Sequence, residues 1–409
     1  EKIDIPLPKN IFTERKNSSG FDLSENSNLE NLEKSISAHK KNKINAESIY
    51  VNRDEKEKVG QKVYSIANNE EIGTAIFDDP TNVKSALENF ASEKWSKYSV
   101  QERSQILIKI SDDIEKDPSE LIFYLLNEAG KTIQNAIDEI REAIDFLRYY
   151  SRQIIEIHGK KSLQGPTGEI NNISYSPKGN YLCISPWNFP VAILIGQISA
   201  ALACGNNVVV KPSENTSILG YLIVKKFHEN GVPIETLQLI LGDGMYGDVL
   251  TKVNTVHGVA FTGSLPTAKK IQTNLIQHHK EIVPLIAETG GINAMIVDSS
   301  ALLEQVTDDV VRSAFDSAGQ RCSALRVLCI QEEIYDELIE MIKGNMEIQK
   351  IGDPNNFSTD IGPIINKHAL QKLNDYIKGC KDQGMEVHNC NNSLKETHMS
   401  PTIIEIDNI

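Results

Sequence analysis

Residues 192–211 read AILIGQISAALACGNNVVVK, and this stretch indicates the class of fold. Residues 192–203 are almost wholly apolar and are predicted to form a helix, residues 205–207 a turn, and residues 208–210 a short strand. A strand with continuous rather than alternating apolar residues is typical of a parallel sheet that is covered on both faces. We therefore predict an α/β fold whose ligand site lies at the carboxyl ends of its strands.

The alternation of helices and strands continues on both sides of this stretch. Apolar residues at helical spacing predict helices at 81–91, 101–115, 119–129, 132–157, 219–229, 248–253, 266–277, 306–318, 334–348 and 367–380. Apolar runs next to turn residues predict strands at 171–175, 179–184, 237–241, 258–261, 292–297 and 324–330. Residues 1–60 are polar, and we expect an arm or linker with one or two loosely held helices.

Composition excludes several classes of protein. The 42 basic and 56 acidic residues among 409 give a net charge of −14, which argues against a nucleic-acid partner, since the phosphate backbone requires basic surface. The longest apolar run, 191–205, is too short to span a bilayer, and residues 1–8 do not resemble a signal peptide. The six cysteines form no C-x-x-C pair, so we expect no metal site and reduced thiols in the cytoplasm.

Residues 242–247, GDGMYG, match the G-x-G-x-x-G pattern of dinucleotide-binding turns. That pattern also requires an acidic residue about 20 positions later to bind the ribose, and residues 249–280 contain neither Asp nor Glu. Gly244 and Gly247 are therefore predicted to form a tight turn near a cofactor, and direct contact with its phosphates is the alternative.

A second candidate for ribose binding follows the strand at 208–210. Lys211 can donate to ribose hydroxyls, and Glu214 can accept from them and would repel a 2′-phosphate. Ser213 lies between them. A solvated loop is the alternative interpretation of this segment.

Four short segments carry the chemistry, and together they resemble the NAD(P)-dependent aldehyde dehydrogenase superfamily from about residue 60 onward. They are PWNFP at 186–190, FTGS at 261–264, AETGG at 287–291 and GQRCS at 319–323. The longer stretches AETGGINAMIVDSSA at 287–301 and AFDSAGQRCSALR at 314–326 resemble the Δ1-pyrroline-5-carboxylate dehydrogenase domain of bacterial bifunctional proline utilisation proteins.

The resemblance implies three catalytic residues. Cys322 would be the nucleophile that adds to an aldehyde, Asn188 would donate to the developing oxyanion, and Glu288 would be the general base that activates water. From the residues alone, a loop residue in a turn between prolines is the favoured interpretation of Asn188. For Glu288 the alternative is an acid at the end of a strand that pairs with a lysine.

The resemblance also implies binding residues. NAD would be held by Lys211, Ser213, Glu214, Trp187, Gly244, Gly247, Gly263 and Ser264, with Ser264 at the start of a helix where a pyrophosphate binds well. Ser323, Arg321 and Phe189 would contact the substrate. Packing remains the alternative role for Trp187, and a structural ion pair remains the alternative for Arg321.

The domain organisation follows from the same resemblance. It assigns 1–60 to a linker, 61–287 to an NAD-binding domain, and 288–409 to a catalytic domain that is truncated on its C-terminal side. The predicted strand pair within 160–184 resembles the family's oligomerisation flap, which implies a homodimer for the intact protein. FAD would belong only to an upstream proline dehydrogenase domain. The intact protein is expected to be cytoplasmic, and a peripheral location at the inner membrane is the alternative.

The implied reaction is oxidation of glutamate 5-semialdehyde, the open form of Δ1-pyrroline-5-carboxylate, to glutamate. Two other hypotheses stay open: a dehydrogenase for another semialdehyde such as succinate semialdehyde, and a non-catalytic nucleotide-binding module. One departure from the family is that this chain has no Glu-x-Phe-Gly-Pro segment, and Pro401 to Ile404, which precede that segment in the family, lie close to Ile409. We therefore expect this polypeptide to be catalytically impaired.

Overall fold

The computed structural model describes residues 5–53, 58–88, 90, 92–159, 161–390 and 397–406. These residues belong to two compact units. The first unit consists of Glu1–Val63, Ile72–Tyr124 and Ile137–Glu288, and the second of Tyr64–Glu71, Leu125–Ala136 and Thr289–Ile409.

The first unit holds most of the regular structure. Its elements, in chain order, are α1 (Asn26–Ser37), β1 (Ile44–Glu47), β2 (Lys58–Tyr64), β3 (Glu71–Asp78), α2 (Pro80–Glu88), α3 (Val100–Lys116), α4 (Ser119–Asn127), α5 (Ile133–His158), β4 (Lys161–Leu163), β5 (Asn171–Ile173), β6 (Asn180–Ile184), α6 (Ala192–Ala203), β7 (Asn207–Lys211), α7 (Ser217–Glu229), β8 (Leu237–Leu239), α8 (Gly244–Leu250), β9 (Gly258–Gly263), α9 (Leu265–His278) and β10 (Leu285–Thr289). The end of α4 and the start of α5, within Leu125–Ala136, belong to the second unit.

A five-stranded sheet of order β10-β9-β6-β7-β8 forms the centre of this unit. The pairs β6–β7, β6–β9 and β7–β8 are parallel, and the side chains of Leu182, Val209 and Val259 are buried in the apolar core that packs against the sheet. The predicted α/β class with a parallel sheet is confirmed. Its strands are continuous apolar runs because both faces of the sheet are covered.

Helix α6 has the bounds that the sequence predicts, Ala192–Ala203. Nine of its side chains are buried, which is expected of a helix that is apolar on all sides. Gly196 allows close packing on α5, because a Cβ at this position would lie only 3.2 Å from the ring of Phe146. The helix is thus fixed directly behind the carboxyl end of β6.

Residues 1–60 contain the helix α1, in agreement with the one or two helices predicted there, and also the strand β1, which was not predicted. Strand β1 pairs in parallel with β3, and the order of that sheet is β1-β3-β2. Ala46 and Tyr50 are buried, and Ile49 exchanges two backbone hydrogen bonds with Leu239, of 2.8 and 2.7 Å. Only one face of this strand meets the core, so the segment is polar in composition. For that reason the apolar pattern did not predict a strand.

The prediction that the strands at 171–175 and 179–184 pair with each other is wrong. Strand β5 pairs antiparallel with β4, whereas β6 is the central strand of the parallel sheet. Burial explains the difference: Leu182 and Cys183 in β6 are fully buried, while Ile173 in β5 is exposed. The turn before β6 therefore leads into the core rather than back along a hairpin.

The second unit is built on a smaller sheet. Its elements are β11 (Asn293–Val297), α10 (Leu303–Phe315), β12 (Leu325–Ile330), α11 (Tyr335–Ile348), α12 (Lys367–Asp382), β13 (Val387–Asn389) and β14 (Thr402–Ile404). Strands β11 and β12 are parallel, and β13 and β14 form an antiparallel pair. A largely apolar cleft of about 800 Å³ is lined by residues of α10, α11, α12, β12 and β14.

Two of the differences between predicted and observed helix boundaries have a clear local cause. Helix α8 begins at Gly244 rather than 248, because the Asp243 side chain accepts a hydrogen bond of 2.9 Å from the backbone N–H of Met245 and caps the helix. Helix α10 ends at Phe315 rather than 318, because Ser317 and Ala318 have left-handed backbone conformations.

Candidate functional site

The carboxyl ends of three neighbouring strands begin the candidate site in the first unit. Ile184 in β6 lies opposite Lys211 in β7 on one side and opposite Phe261 in β9 on the other. The segments that follow these strands, 185–190, 212–216 and 262–264, therefore start at the same edge of the sheet. In an open α/β sheet this edge is where ligands bind.

Lys211 is a buried cation at this edge, with only 4% of its surface exposed. Its Nζ donates to the carbonyl of Pro212 at 3.1 Å and lies 3.9 Å from the Glu214 carboxylate. Burial lowers the pKa of the Lys211 ammonium, and the negative charges of Glu214 and Asp243 partly oppose this. One hydrogen bond uses one of its three protons, so the ammonium retains donors for a ligand.

The residues around Lys211 leave space beside it. The carboxylate of Glu214 is half exposed, and the Ser213 hydroxyl accepts a hydrogen bond of 3.3 Å from the backbone of Asn215. Gly247 lies along the lysine stem, since a Cβ there would be 3.6 Å from Lys211 Cδ. Lys211, Glu214 and Gly247 are thus brought together, as the predicted cofactor set requires.

The glycine-rich turn before α8 has a steric origin. Gly242 has φ of +155°, and a Cβ there would lie 2.2 Å from the ring of Tyr246. Gly244 is exposed, and a Cβ on it would meet nothing within 4 Å. The tight turn that we predicted at 242–247 is therefore present, and Gly242 rather than Gly244 is the position that requires glycine.

Gly263 and Ser264 form the junction between β9 and α9. A Cβ at Gly263 would lie 2.6 Å from the ring of Phe261, so a larger residue would displace that ring. Ser264 is exposed and caps α9, accepting a hydrogen bond of 3.3 Å from the N–H of Thr267. The start of this 14-residue helix provides the partial positive charge that favours an anion.

The segment with Trp187, Asn188 and Phe189 joins β6 to α6, and all three side chains are half-buried. Glu139 in α5 holds the far end of this segment. Its Oε1 accepts hydrogen bonds from the N–H groups of Val191 (2.8 Å) and Ala192 (3.3 Å), which are buried at the start of α6. A buried carboxylate at a helix N-terminus satisfies these donors and the helix dipole together.

The sequence interpretation missed Glu139, although a signal was present. Glu139 lies three residues after Ala136 and four before Ala143, on the helix face that the apolar pattern predicts to be buried. An acidic residue on such a face is costly to bury without a partner, so it indicates a buried hydrogen-bonding role. Glu288, by contrast, is exposed on the edge strand β10.

Cys322 belongs to the second unit and lies just before β12, with its thiol exposed. The Asn293 side chain donates to the carbonyls of Cys322 at 2.8 Å and Ala324 at 2.9 Å, which fixes the backbone on both sides of the exposed Ser323. The loop that presents the thiol is thus anchored to β11.

Arg321 has structural partners within the second unit. Its guanidinium donates to the carbonyl of Ser313 at 3.1 Å, near the end of α10, and lies 3.6 Å from the Asp316 carboxylate. These contacts correspond to the structural ion pair that was the alternative interpretation of Arg321 from the sequence. Its contact with a substrate stays a prediction.

The described part of the chain contains no group of three His, Cys, Asp or Glu side chains arranged to bind a metal ion. Among the same residues, no helix combines the length and the apolar character needed to cross a bilayer.

Comparison with known proteins gives a consistent result. The model of the aldehyde dehydrogenase family matches residues 50–408. The bifunctional protein PutA of Salmonella typhimurium is 38% identical over 419 residues, which cover 99% of this chain and 31% of that protein. The 1-pyrroline-5-carboxylate dehydrogenase of Staphylococcus aureus is 30% identical over 409 residues, covering 96% of this chain and 78% of that enzyme.

Solved structures agree with these matches. A variant of Bradyrhizobium japonicum proline utilization A (PutA) superimposes with a TM-score of 0.86 at 38% identity, over 99% of this chain and 38% of that one. A variant of Thermus thermophilus 1-pyrroline-5-carboxylate dehydrogenase gives 0.89 at 25% identity, over 96% and 78%. The chain therefore spans about a third of the length of the PutA relatives.

Proposed function

Because the chain belongs to the aldehyde dehydrogenase family, we propose that it carries the NAD⁺-dependent oxidation of glutamate 5-semialdehyde, in equilibrium with Δ1-pyrroline-5-carboxylate, to glutamate in proline catabolism. The observation that carries this proposal is the exposed Cys322, placed in a segment that matches relatives named 1-pyrroline-5-carboxylate dehydrogenase. Whether the chain by itself turns over is part of the test below.

The residues of the first unit fit a bound NAD⁺. Lys211 retains donors for the ribose hydroxyls of the adenosine, Glu214 lies beside it as an acceptor, and the absence of a side chain at Gly247 keeps the approach open. The negative charge of Glu214 disfavours a 2′-phosphate, which supports NAD⁺ over NADP⁺. Ser264, with Gly263 before it, places the N-terminus of α9 where a pyrophosphate would be stabilised.

The chemistry assigns one step to each catalytic residue. The Cys322 thiolate adds to the aldehyde carbon, and the Asn188 amide donates to the oxygen that becomes negative. Bound NAD⁺ supplies the acceptor for the hydride that this carbon loses, which leaves a thioester on Cys322. Glu288 takes a proton from water, and the water oxygen attacks the thioester carbon to release glutamate and the thiol. Trp187, Phe189 and Ser323 are proposed to line the cofactor and the substrate.

The test is NADH formation from Δ1-pyrroline-5-carboxylate by the intact protein and by this chain, followed by absorbance. We expect Cys322→Ala to reduce the rate by at least about 10³-fold, because no covalent intermediate can form. Cys204→Ala is the matched control, since Cys204 is the other exposed cysteine among the described residues. A variant at Cys322 that retained the normal rate would contradict the assignment.

Two alternatives are decided by the same preparation. Calorimetric binding of NAD⁺ without NADH formation from any aldehyde would indicate a nucleotide-binding module that does not catalyse. Faster turnover of succinate semialdehyde than of Δ1-pyrroline-5-carboxylate would keep the reaction but change its substrate.

The assembly and the location of the protein are further parts of the proposal. The β4–β5 hairpin exposes Leu163, Ile170 and Ile173, and an isolated two-stranded hairpin is only marginally stable in water. We propose that a second copy covers it in a homodimer, and that the protein is cytoplasmic. Light scattering of the wild type against Ile170→Lys tests the dimer, since a charge there should yield monomers.

A further inference from the structure

We infer that Asn135 is a positioning residue for the segment that carries Cys322, because it holds a left-handed turn that would otherwise relax. The inference rests on the proposed role of Cys322 as the nucleophile. No such role for Asn135 followed from the sequence, since the residues that it contacts are more than 180 positions away along the chain.

The turn consists of Ser317, Ala318 and Gly319, and all three have left-handed backbone conformations. Their φ values are +53°, +54° and +66°. Residues other than glycine rarely adopt this region, because the Cβ approaches the following carbonyl. Two consecutive non-glycine residues in it are strained, and such strain persists only where the surroundings hold the backbone in place.

Asn135 provides that restraint at the first residue of the turn. Its Nδ2 donates to Asp316 Oδ1 at 2.6 Å, and its Oδ1 accepts a hydrogen bond of 2.8 Å from the Ser317 hydroxyl. Asp316 Oδ1 also accepts from the Ser317 backbone N–H at 3.0 Å. Asn135 is only 8% exposed, so water cannot readily replace it.

Hydrogen bonds continue from the turn to Cys322. The Gln320 backbone N–H and side-chain amide both donate to the Ser317 carbonyl, at 3.1 and 3.2 Å, and the Gln320 Oε1 accepts from Ile365 N–H at 2.9 Å. Arg326 donates to the Gly319 carbonyl at 2.7 Å. A shift of Ser317 would therefore move Gln320, which is two residues from Cys322.

This arrangement makes a specific prediction about compensation. Without the Asn135 side chain, Ser317 should leave the left-handed region and displace the thiol of Cys322. Glycine adopts that region without strain. Replacing Ser317 by glycine should therefore make Asn135 dispensable.

The experiment measures kcat and KM of the dehydrogenase for three variants. We expect Asn135→Ala to lower kcat at least tenfold while KM for NAD⁺ changes less than threefold, because Lys211 and its neighbours are untouched. Asn135→Ala combined with Ser317→Gly should return kcat to within threefold of the wild type. The control is Asn345→Ala, which removes an exposed Asn–Asp hydrogen bond elsewhere in the second unit.

A second measurement does not depend on turnover. Hydrogen exchange of the amides in residues 316–322 should be at least tenfold faster in Asn135→Ala, and should be unchanged in Asn345→Ala. If Asn135→Ala does not fold, Asn135→Asp replaces it, since it keeps the shape but places a second carboxylate against Asp316.

The outcomes separate this inference from the proposed function. An unchanged kcat in Asn135→Ala, or a double variant as slow as the single one, would overturn the role of Asn135. If the intact wild-type protein forms no NADH from Δ1-pyrroline-5-carboxylate, the proposed function is contradicted instead. In that case exchange in residues 316–322 alone decides whether Asn135 holds the turn, and an unchanged exchange rate rejects it.

Discussion

Lys211 and Cys322 both lie next to the end of a parallel strand, but the two units hold them in different ways. Lys211 follows three buried valines in the middle of a five-stranded sheet and is itself buried. Cys322 precedes a strand of a two-stranded sheet and is exposed. Apolar packing of the sheet fixes Lys211. Hydrogen bonds from Asn293, Gln320 and Arg326 fix the segment that carries Cys322.

Because of this difference, the two units should be sensitive to different kinds of mutation. In a close-packed core, loss of a side chain costs stability in proportion to the cavity that it leaves. In a segment held by hydrogen bonds, loss of one partner changes geometry more than total stability. The first unit should therefore respond to core substitutions and the second to polar ones.

The largest effect is expected from a pair of strand substitutions. Leu182→Ala in β6 should lower the free energy of unfolding by about 2–5 kcal/mol, because Leu182 is fully buried. Ile296→Ala in β11 should cost less than about 1 kcal/mol, because Ile296 is 84% exposed. Trp95 and Trp187 both lie in the first unit, so denaturant unfolding followed by tryptophan fluorescence measures the first substitution. Hydrogen exchange measures the second, and equal costs would contradict the comparison.

The fold of the first unit was predicted better than that of the second, because apolar packing leaves a pattern of apolar residues in the sequence. The bounds of α6 follow from an apolar run in which nine of the twelve residues are buried. The strand β1, INAE, was missed because its burial comes from pairing with β3 rather than from its composition. The partner of β5 was wrong because proximity in sequence favoured a hairpin with β6, whereas the buried side chains of β6 required the sheet interior.

Sequence patterns were least informative about the polar contacts. Glu139 lies on a predicted buried face and was open to detection, but Asn135 and Asp316 are 181 residues apart, and local patterns do not report such pairs. The motif around Cys322 predicts a nucleophile there, whereas no pattern in the sequence predicts the left-handed turn before it. Hydrogen bonds between distant segments are therefore the part of the site that only a three-dimensional structure reveals.

The next largest effect concerns Glu139. Glu139→Ala leaves the buried N–H groups of Val191 and Ala192 without this acceptor, so we expect a loss of about 1–3 kcal/mol. Glu156→Ala on the same helix is the control. It removes an exposed ion pair with Arg152 and an exposed hydrogen bond from Gln153, and should cost less than about 0.5 kcal/mol. Tryptophan fluorescence reports both, and a similar cost for the two would show that Glu139 does not stabilise α6.

A smaller effect depends on pH. Burial lowers the pKa of Lys211 in the folded state, while an unfolded lysine titrates near about 10.4. At a pH between the folded-state and unfolded-state pKa of this lysine, the unfolded state binds more protons, so the stability of the wild type should rise with pH in that range. Below both pKa values, the whole destabilisation from the buried ammonium should be present. Lys211→Met should raise stability by roughly 1–2 kcal/mol at pH 7 and remove this rise.

The control for that titration is Lys225→Met, which removes an exposed lysine that pairs with Glu229. It should leave the dependence on pH unchanged, because an exposed ion pair contributes little. A wild type and a Lys211→Met variant with parallel pH profiles would mean that the ammonium is not penalised by burial.

The smallest effect concerns two alanines that are four residues apart in the second unit. Replacing each by glycine should change the free energy of unfolding in opposite directions. Ala318→Gly should raise stability by about 0.5–1 kcal/mol, because relief of the left-handed strain exceeds the entropy that glycine loses on folding. Ala314→Gly, in the right-handed helix α10, should lower stability by about 1 kcal/mol for the same entropic reason without the relief. Hydrogen exchange of the slowest amides in the second unit measures both. If Ala318→Gly were also destabilising, the turn before Cys322 would not be strained. Asn135 would then not be needed to keep that turn in its left-handed conformation.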